Sequence, residues 1–167
     1  MSFNKFFLIF SFFLIITSTI YSFELLVNPS YSSTLNSNST NNYDYVGGRV
    51  SFLIPTEDSG EISYGPYIGF YYNYKLIENG IVSEDMGVSL GLNMKYNTNI
   101  IGDLGFIVNA YGGVHTEDSF ESFKTEILVN GGISYNILIL SVGYETRYYE
   151  DLTVNYIPIS LGVSFKF

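Results

Sequence analysis

The 167-residue sequence is 47% apolar, 18% aromatic and only 14% charged, with 16 Asp+Glu against 7 Lys+Arg for a net charge of −9. Such a chain is too apolar and aromatic for a disordered acidic polypeptide, and too poor in clustered Lys/Arg to grip a phosphate backbone, so no nucleic-acid partner is expected. It has no Cys and His115 is its one histidine, which removes disulfide frameworks, thiolate zinc sites and multi-histidine clusters; no cofactor and no metal are expected.

The first predicted element is a secretory signal over residues 1–22. Lys5 precedes the apolar run Phe6–Ile16, and a more polar stretch begins at Thr17, the order of charged, apolar and cleavage regions in an export signal. The run is too short to cross a bilayer as a helix, which takes roughly 20 residues. Cleavage is expected after Ser22, leaving residues 23–167 as one domain.

From Phe23 onward the sequence alternates with a period of two, the mark of strands with unlike faces. Eight strands are expected. Their apolar parity runs through Phe23, Leu25, Val27 and Tyr31; Val46, Val50, Phe52 and Ile54; Ile62, Tyr64, Ile68, Phe70 and Tyr72; Met86, Val88, Leu90, Leu92 and Met94. It continues through Leu104, Phe106, Val108 and Val114; Ile127, Val129, Ile133 and Tyr135; Leu138, Leu140, Val142 and Tyr144; and Ile157 to Phe167 by twos. The opposite parity reads as small and polar, with Gly47, Ser51, Gly65, Gly69, Asn73, Gly87, Ser89, Gly91, Asn93, Asn109, Gly132, Ser141 and Ser160. Arg49, Lys75, Lys95, Lys124, Arg147 and Lys166 all fall on that polar parity.

An apolar face that excludes charge, paired with a polar interior and no free edge, is what a closed barrel in lipid requires. The fold class expected is an all-β, eight-stranded antiparallel up-and-down transmembrane barrel. An even strand number puts both termini on one side, the periplasmic one, with longer polar connections at Ser32–Asn42, Lys75–Asp85 and Thr116–Phe123 facing outward. Turns are expected at Pro55–Glu61, at Asn97–Gly102 and near Asn136–Ile137. Ile137 suits a primed turn badly, because that turn wants positive φ, so the last of these is expected to turn over a slightly different span.

The candidate site residues are the lumen charges Glu126, Arg147, Glu145, Arg49, Glu24 and Lys166. A tight turn pairing Tyr135 with Leu138 sets Glu126 opposite Arg147, Leu128 opposite Glu145 and Lys124 opposite Tyr149. Glu24 and Lys166, at the ends of the first and last strands, are a second candidate pair whose register depends on barrel shear.

The final alternation Ile159, Leu161, Val163, Phe165, Phe167 ends on Phe and resembles the C-terminal assembly signal of bacterial outer-membrane barrels. With the export signal and the strand count, the chain resembles the small OmpA/OmpX-type barrels, with no peptidoglycan-binding domain expected after the barrel. The resemblance implies a bacterial outer-membrane location, contact with outer-membrane lipid and lipopolysaccharide, and handling by the barrel assembly machinery. The role expected is structural or adhesive, through acidic loops (Asp44, Glu78, Glu84, Asp85, Glu117, Asp118, Glu121, Glu150, Asp151) that offer themselves to a host or surface protein. Two alternatives stand beside it. One is a lipid A-modifying enzyme using His115 at the rim, although a deacylase of that kind wants Ser two residues after the His, where this chain has Glu117. The other is a secreted lipocalin-like carrier, which would turn its large apolar residues inward.

Overall fold

Period-two alternation becomes eight antiparallel strands in a computed structural model that describes residues 22–36, 44–56, 61–77, 80–117, 123–148 and 153–167. They are β1 (Glu24–Asn36), β2 (Asp44–Pro55), β3 (Ile62–Ile77), β4 (Gly80–Ile101), β5 (Leu104–Glu117), β6 (Lys124–Tyr135), β7 (Leu138–Tyr148) and β8 (Thr153–Lys166). Each pairs with its sequence neighbours, and β8 returns to β1, so the sheet closes into a barrel with no edge along its wall. Phe23 and Phe167 complete that seam with two backbone hydrogen bonds, of 3.2 and 2.9 Å, and stacked rings 4.8 Å apart. Both described chain ends lie at one mouth, called here the terminal end; the opposite mouth is the loop end. The expected export signal, apart from Ser22, falls outside the described residues.

The apolar parity faces outward. Leu92, Met86 and Leu161 expose 69%, 76% and 62% of their surface, and large apolar side chains on every strand are similarly bared. Arg49, Lys95, Glu24, Glu126, Glu145 and Arg147 are buried inside instead. This arrangement is the inverse of a soluble carrier, whose apolar side chains would fill the lumen.

The interior departs from the small and polar lining expected. Five tyrosines on the inward parity, Tyr45, Tyr67, Tyr71, Tyr111 and Tyr156, are buried there with Leu26, Leu53, Ile107, Leu128, Ile139 and Val154. Eight strands leave a lumen just wide enough for side chains to fill, and small residues on one strand make room for large ones on the next. Gly87 shows the trade: a Cβ there would sit 2.1 Å from Cζ of Tyr71, whose ring occupies the space.

Three connections are shorter than expected because the strands run further. β3 and β4 pair out to Ile77 and Gly80, so most of the Lys75–Asp85 connection is ribbon. β5 includes Thr116 and Glu117, and β1 continues past Ser32 to Asn36. At the terminal end β4 extends to Ile101, and the chain reverses at Gly102, whose φ of 56° is of the kind glycine adopts at no cost. The β6–β7 hairpin turns at Asn136–Ile137 after all, with Tyr135 paired to Leu138. Only Asn136 takes a positive φ, 53°, so nothing left-handed is asked of Ile137.

Candidate functional site

The inward side chains form layers along the barrel axis. Nearest the terminal end, Glu24 accepts from Lys95 and from the Ser164 hydroxyl. A recess of about 360 Å³ opens beside them, lined by Lys95, Asn97, Asn99, Ser134 and Lys166 together with Ile107 and Ile139. Next comes an aliphatic plug of Leu26, Leu53, Ile107 and Ile139, all fully or almost fully buried. Above it lies a polar band in which Asn93 Nδ2 donates to Ser51 Oγ at 3.1 Å and the hydroxyls of Ser141 and Ser160 meet at 2.7 Å.

The charged layer sits on this band. The β6–β7 register places Glu126 opposite Arg147 and Leu128 opposite Glu145; Tyr149, the expected partner of Lys124, lies outside the described residues. Arg147 Nε donates to Glu145 Oε1 at 2.8 Å and stands 3.8 Å from Glu126 Oε2. Arg49 reaches across the lumen from β2, its Nη2 3.0 Å from Glu145 Oε1 and 3.5 Å from Glu126 Oε2. Two guanidinium groups thus share two carboxylates, and the four formal charges cancel. The carboxylates have further partners: the Tyr67 hydroxyl donates to Glu126 Oε1 at 2.5 Å, and the Tyr45 hydroxyl donates to Glu145.

An aromatic box caps the cluster toward the loop end. The Arg147 guanidinium carbon lies 3.9 Å from the Tyr71 ring centre, 4.3 Å from that of Tyr45 and 5.3 Å from that of Tyr156. Cation–π attraction of this kind gains strength when both partners are out of water. The Tyr71 hydroxyl donates to the Thr116 carbonyl at 2.9 Å, tying the box to the end of β5. Side chains, charges and rings thus occupy the lumen from the aliphatic plug toward the loop end, and its charged groups find partners across the barrel.

Two candidate placements need correction. Glu24 and Lys166 do stand opposite one another in the β1–β8 ladder, but the Glu24 carboxylate is taken by Lys95 from β4, while Lys166 is exposed at the mouth. The Glu24 carboxylate takes the ammonium that reaches it across the barrel, not its neighbour in the ladder. His115, expected at an exposed rim, is fully buried on β5, with its ring 6.3 Å from that of Tyr71. Its strand continues two residues beyond it, which carries the imidazole inside the wall. The parity rule already places Lys95 and the five tyrosines inward; what it cannot supply is which of them meet. Ile159, Leu161, Phe165 and Phe167 lie exposed on the outer face of β8, with Val163 half-buried between them. Of the acidic loop residues, Asp44 binds the Tyr31 hydroxyl at 2.9 Å and the Thr34 amide at 3.0 Å, and Glu78, Asp118, Glu121, Glu150 and Asp151 lie outside the described residues. Among the described residues, no group of His, Asp or Glu is gathered as a metal site.

The fold is that of the small eight-stranded outer-membrane barrels. It is similar to Neisserial surface protein A, with a TM-score of 0.63 at 18% identity, over 87% of this chain and 97% of that one. It is similar as well to the outer membrane enzyme PagL, with a TM-score of 0.59 at 10% identity, over 83% of this chain and 98% of that one. No protein-family model matches the sequence, and no curated protein matches it.

Proposed function

We propose that the chain is an integral outer-membrane barrel with a non-catalytic role, structural and surface-binding, exerted through the connections at its loop end. The observation that carries the reading is the inversion of the fold: an outer belt of bare apolar side chains encloses a lumen whose buried charges neutralise one another. A belt of this kind is stable only against acyl chains, and closure satisfies the backbone within lipid. In this reading both termini are periplasmic, Ile159 to Phe167 are read by the barrel assembly machinery, and outer-leaflet lipid and lipopolysaccharide contact the belt.

The fold neighbours support an outer-membrane location, and they include both a surface protein and an outer membrane enzyme. Burial of His115 against Tyr71 favours the first, because a base must come within about 3 Å of the proton it takes and this imidazole faces the packed lumen. The test is to place a protease site or small epitope between residues 37 and 43 and label intact cells. Labelling of intact cells, with the protein in the outer-membrane fraction, is expected; labelling only after lysis overturns the orientation, and recovery in the soluble fraction overturns the reading.

A further inference from the structure

The outer wall of the barrel is not evenly covered. On β2 the outward positions include Val46, Gly48 and Val50, and Gly48 has no side chain to cover the backbone beneath it. Its ladder partners are Pro29 on β1 and Phe70 on β3, both exposed on the outer face. The three positions stand abreast on neighbouring strands, so the flanking backbones are about 10 Å apart at roughly 4.8 Å per strand. Between them runs an open trough of about 570 Å³, lined by Val27 and Val50 toward the terminal end and by Val46 and Tyr72 toward the loop end. Arg49 and Tyr71 border it as well, but their side chains turn into the lumen, where Arg49 meets Glu145 and Tyr71 covers Arg147. No formal charge therefore faces the trough.

Gly48 lies nearer to Asp44, where β2 begins at the loop end, than to Pro55, where it ends. The trough therefore sits in the loop-end half of the belt, which is the outer leaflet in the orientation proposed above. It is continuous with the apolar belt that faces lipid, so its occupant comes from the hydrocarbon. The sequence that joins β1 to β2, Ser-Asn-Ser-Thr-Asn-Asn over 37–42, is too polar to enter hydrocarbon and fill it. An unfilled trough forfeits the close contacts of its walls, and a flexible linear chain restores them along its length. Lipid tails are as apolar as the wall, so the gain is one of contact and shape, and it singles out the chain in the trough from the mobile chains around it. We infer that the Gly48 trough seats one acyl chain of an outer-leaflet lipid, held along β2 between Pro29 and Phe70. This rests on the outer-membrane reading above and gives the contact between belt and lipid a defined place.

The probe is dimyristoylphosphatidylcholine. The full chain is placed in nanodiscs of this lipid and released in the gas phase, and native mass spectrometry counts the lipids that stay on each barrel. One retained lipid per barrel is expected for the native chain and for Gly112→Leu, a matched change on the outer face of β5, where an added Cβ meets nothing within 4 Å. Gly48→Leu fills the trough, its Cβ 3.2 Å from the Pro29 Cα, and Phe70→Ala removes a wall without touching the floor. Each is expected to cut retention at least tenfold while heat-modifiable migration stays unchanged, and Phe70→Ala alone decides if the tight contact at Pro29 stops Gly48→Leu from folding. Dimyristoylphosphatidylglycerol, with the same chains and another headgroup, is expected to be retained equally. Equal retention by all four proteins, none by the native chain, or retention set by the headgroup overturns the inference. So does a barrel dimer that Gly48→Leu or Phe70→Ala dissolves, which assigns the trough to a second copy. A chain that enters the nanodiscs and retains no lipid sinks this inference alone; a chain that does not enter them sinks the outer-membrane reading with it.

Discussion

Glu126 and Arg147 face each other across the β6–β7 ladder, with 3.8 Å between Oε2 and Nε. The closer partner of Arg147 is Glu145, on its own strand, at 2.8 Å, and Glu145 also holds Arg49 at 3.0 Å. Glu145 is therefore the hub of the cluster. Removing one member of a buried pair leaves an uncompensated charge at a cost of about 3 to 5 kcal/mol. Glu145→Ala is expected to reach that range, Glu126→Ala to cost less because both arginines retain Glu145, and Glu117→Ala to change little. Unfolding in detergent, followed by loss of the fast-migrating folded band, ranks the three; equal stability of Glu126→Ala and Glu117→Ala contradicts the cluster.

At the terminal end, Lys95 and Lys166 carry the same charge but differ in burial. Lys95→Met strands the Glu24 carboxylate inside the wall, whereas Lys166→Met removes an exposed charge, and exposed pairs contribute about 0 to 1 kcal/mol. Lys95→Met is expected to lower the unfolding temperature in detergent and Lys166→Met to leave it nearly unchanged. The reverse order restores Glu24–Lys166 as the working pair.

The Gly87–Tyr71 fit makes a coupled prediction. Gly87→Ala forces a methyl into the Tyr71 ring, and overpacking of this kind costs about 1 to 3 kcal/mol. In a Tyr71→Ala background the same change is expected to cost nearly nothing, giving a coupling within the range of about 0.5 to 3 kcal/mol seen for residues in contact. Additive effects in equilibrium unfolding mean the ring does not occupy that space.

Assembly is tested on the outer face of β8. Changing Phe165 and Phe167 to Ser removes two exposed apolar side chains and the stacked Phe23–Phe167 pair at the seam. Outer-membrane insertion is expected to fall severalfold more than with Asn38→Ser, measured as the folded fraction in isolated membranes. Equal insertion of the two contradicts a role for this segment in assembly.

The sequence makes the wall of the barrel legible and the contents of its lumen only partly so. Parity decides which face each side chain takes, and a two-residue turn after Tyr135 fixes the β6–β7 register, so the Glu126–Arg147 opposition is visible in the residues themselves. Arg49 meeting Glu145, and Lys95 meeting Glu24, are contacts across the barrel, set by shear and lumen width rather than by any local pattern. The five inward tyrosines share their parity with the small residues, and nothing local in the sequence marks which of the two fills a given part of the lumen. His115 looks like a rim residue because polar residues follow it, yet β5 extends past it and carries it inside.

The central claim is a closed, lipid-embedded barrel with an apolar exterior, and the most direct measurement is electrophoresis of a detergent extract of the membrane fraction before and after boiling. A barrel in which the strands are paired all the way round resists detergent until heated. The account predicts two positions, a faster folded band without boiling and a slower unfolded band after it, with the protein retained in the membrane through carbonate extraction. Unchanged migration on boiling, together with release by carbonate, contradicts it.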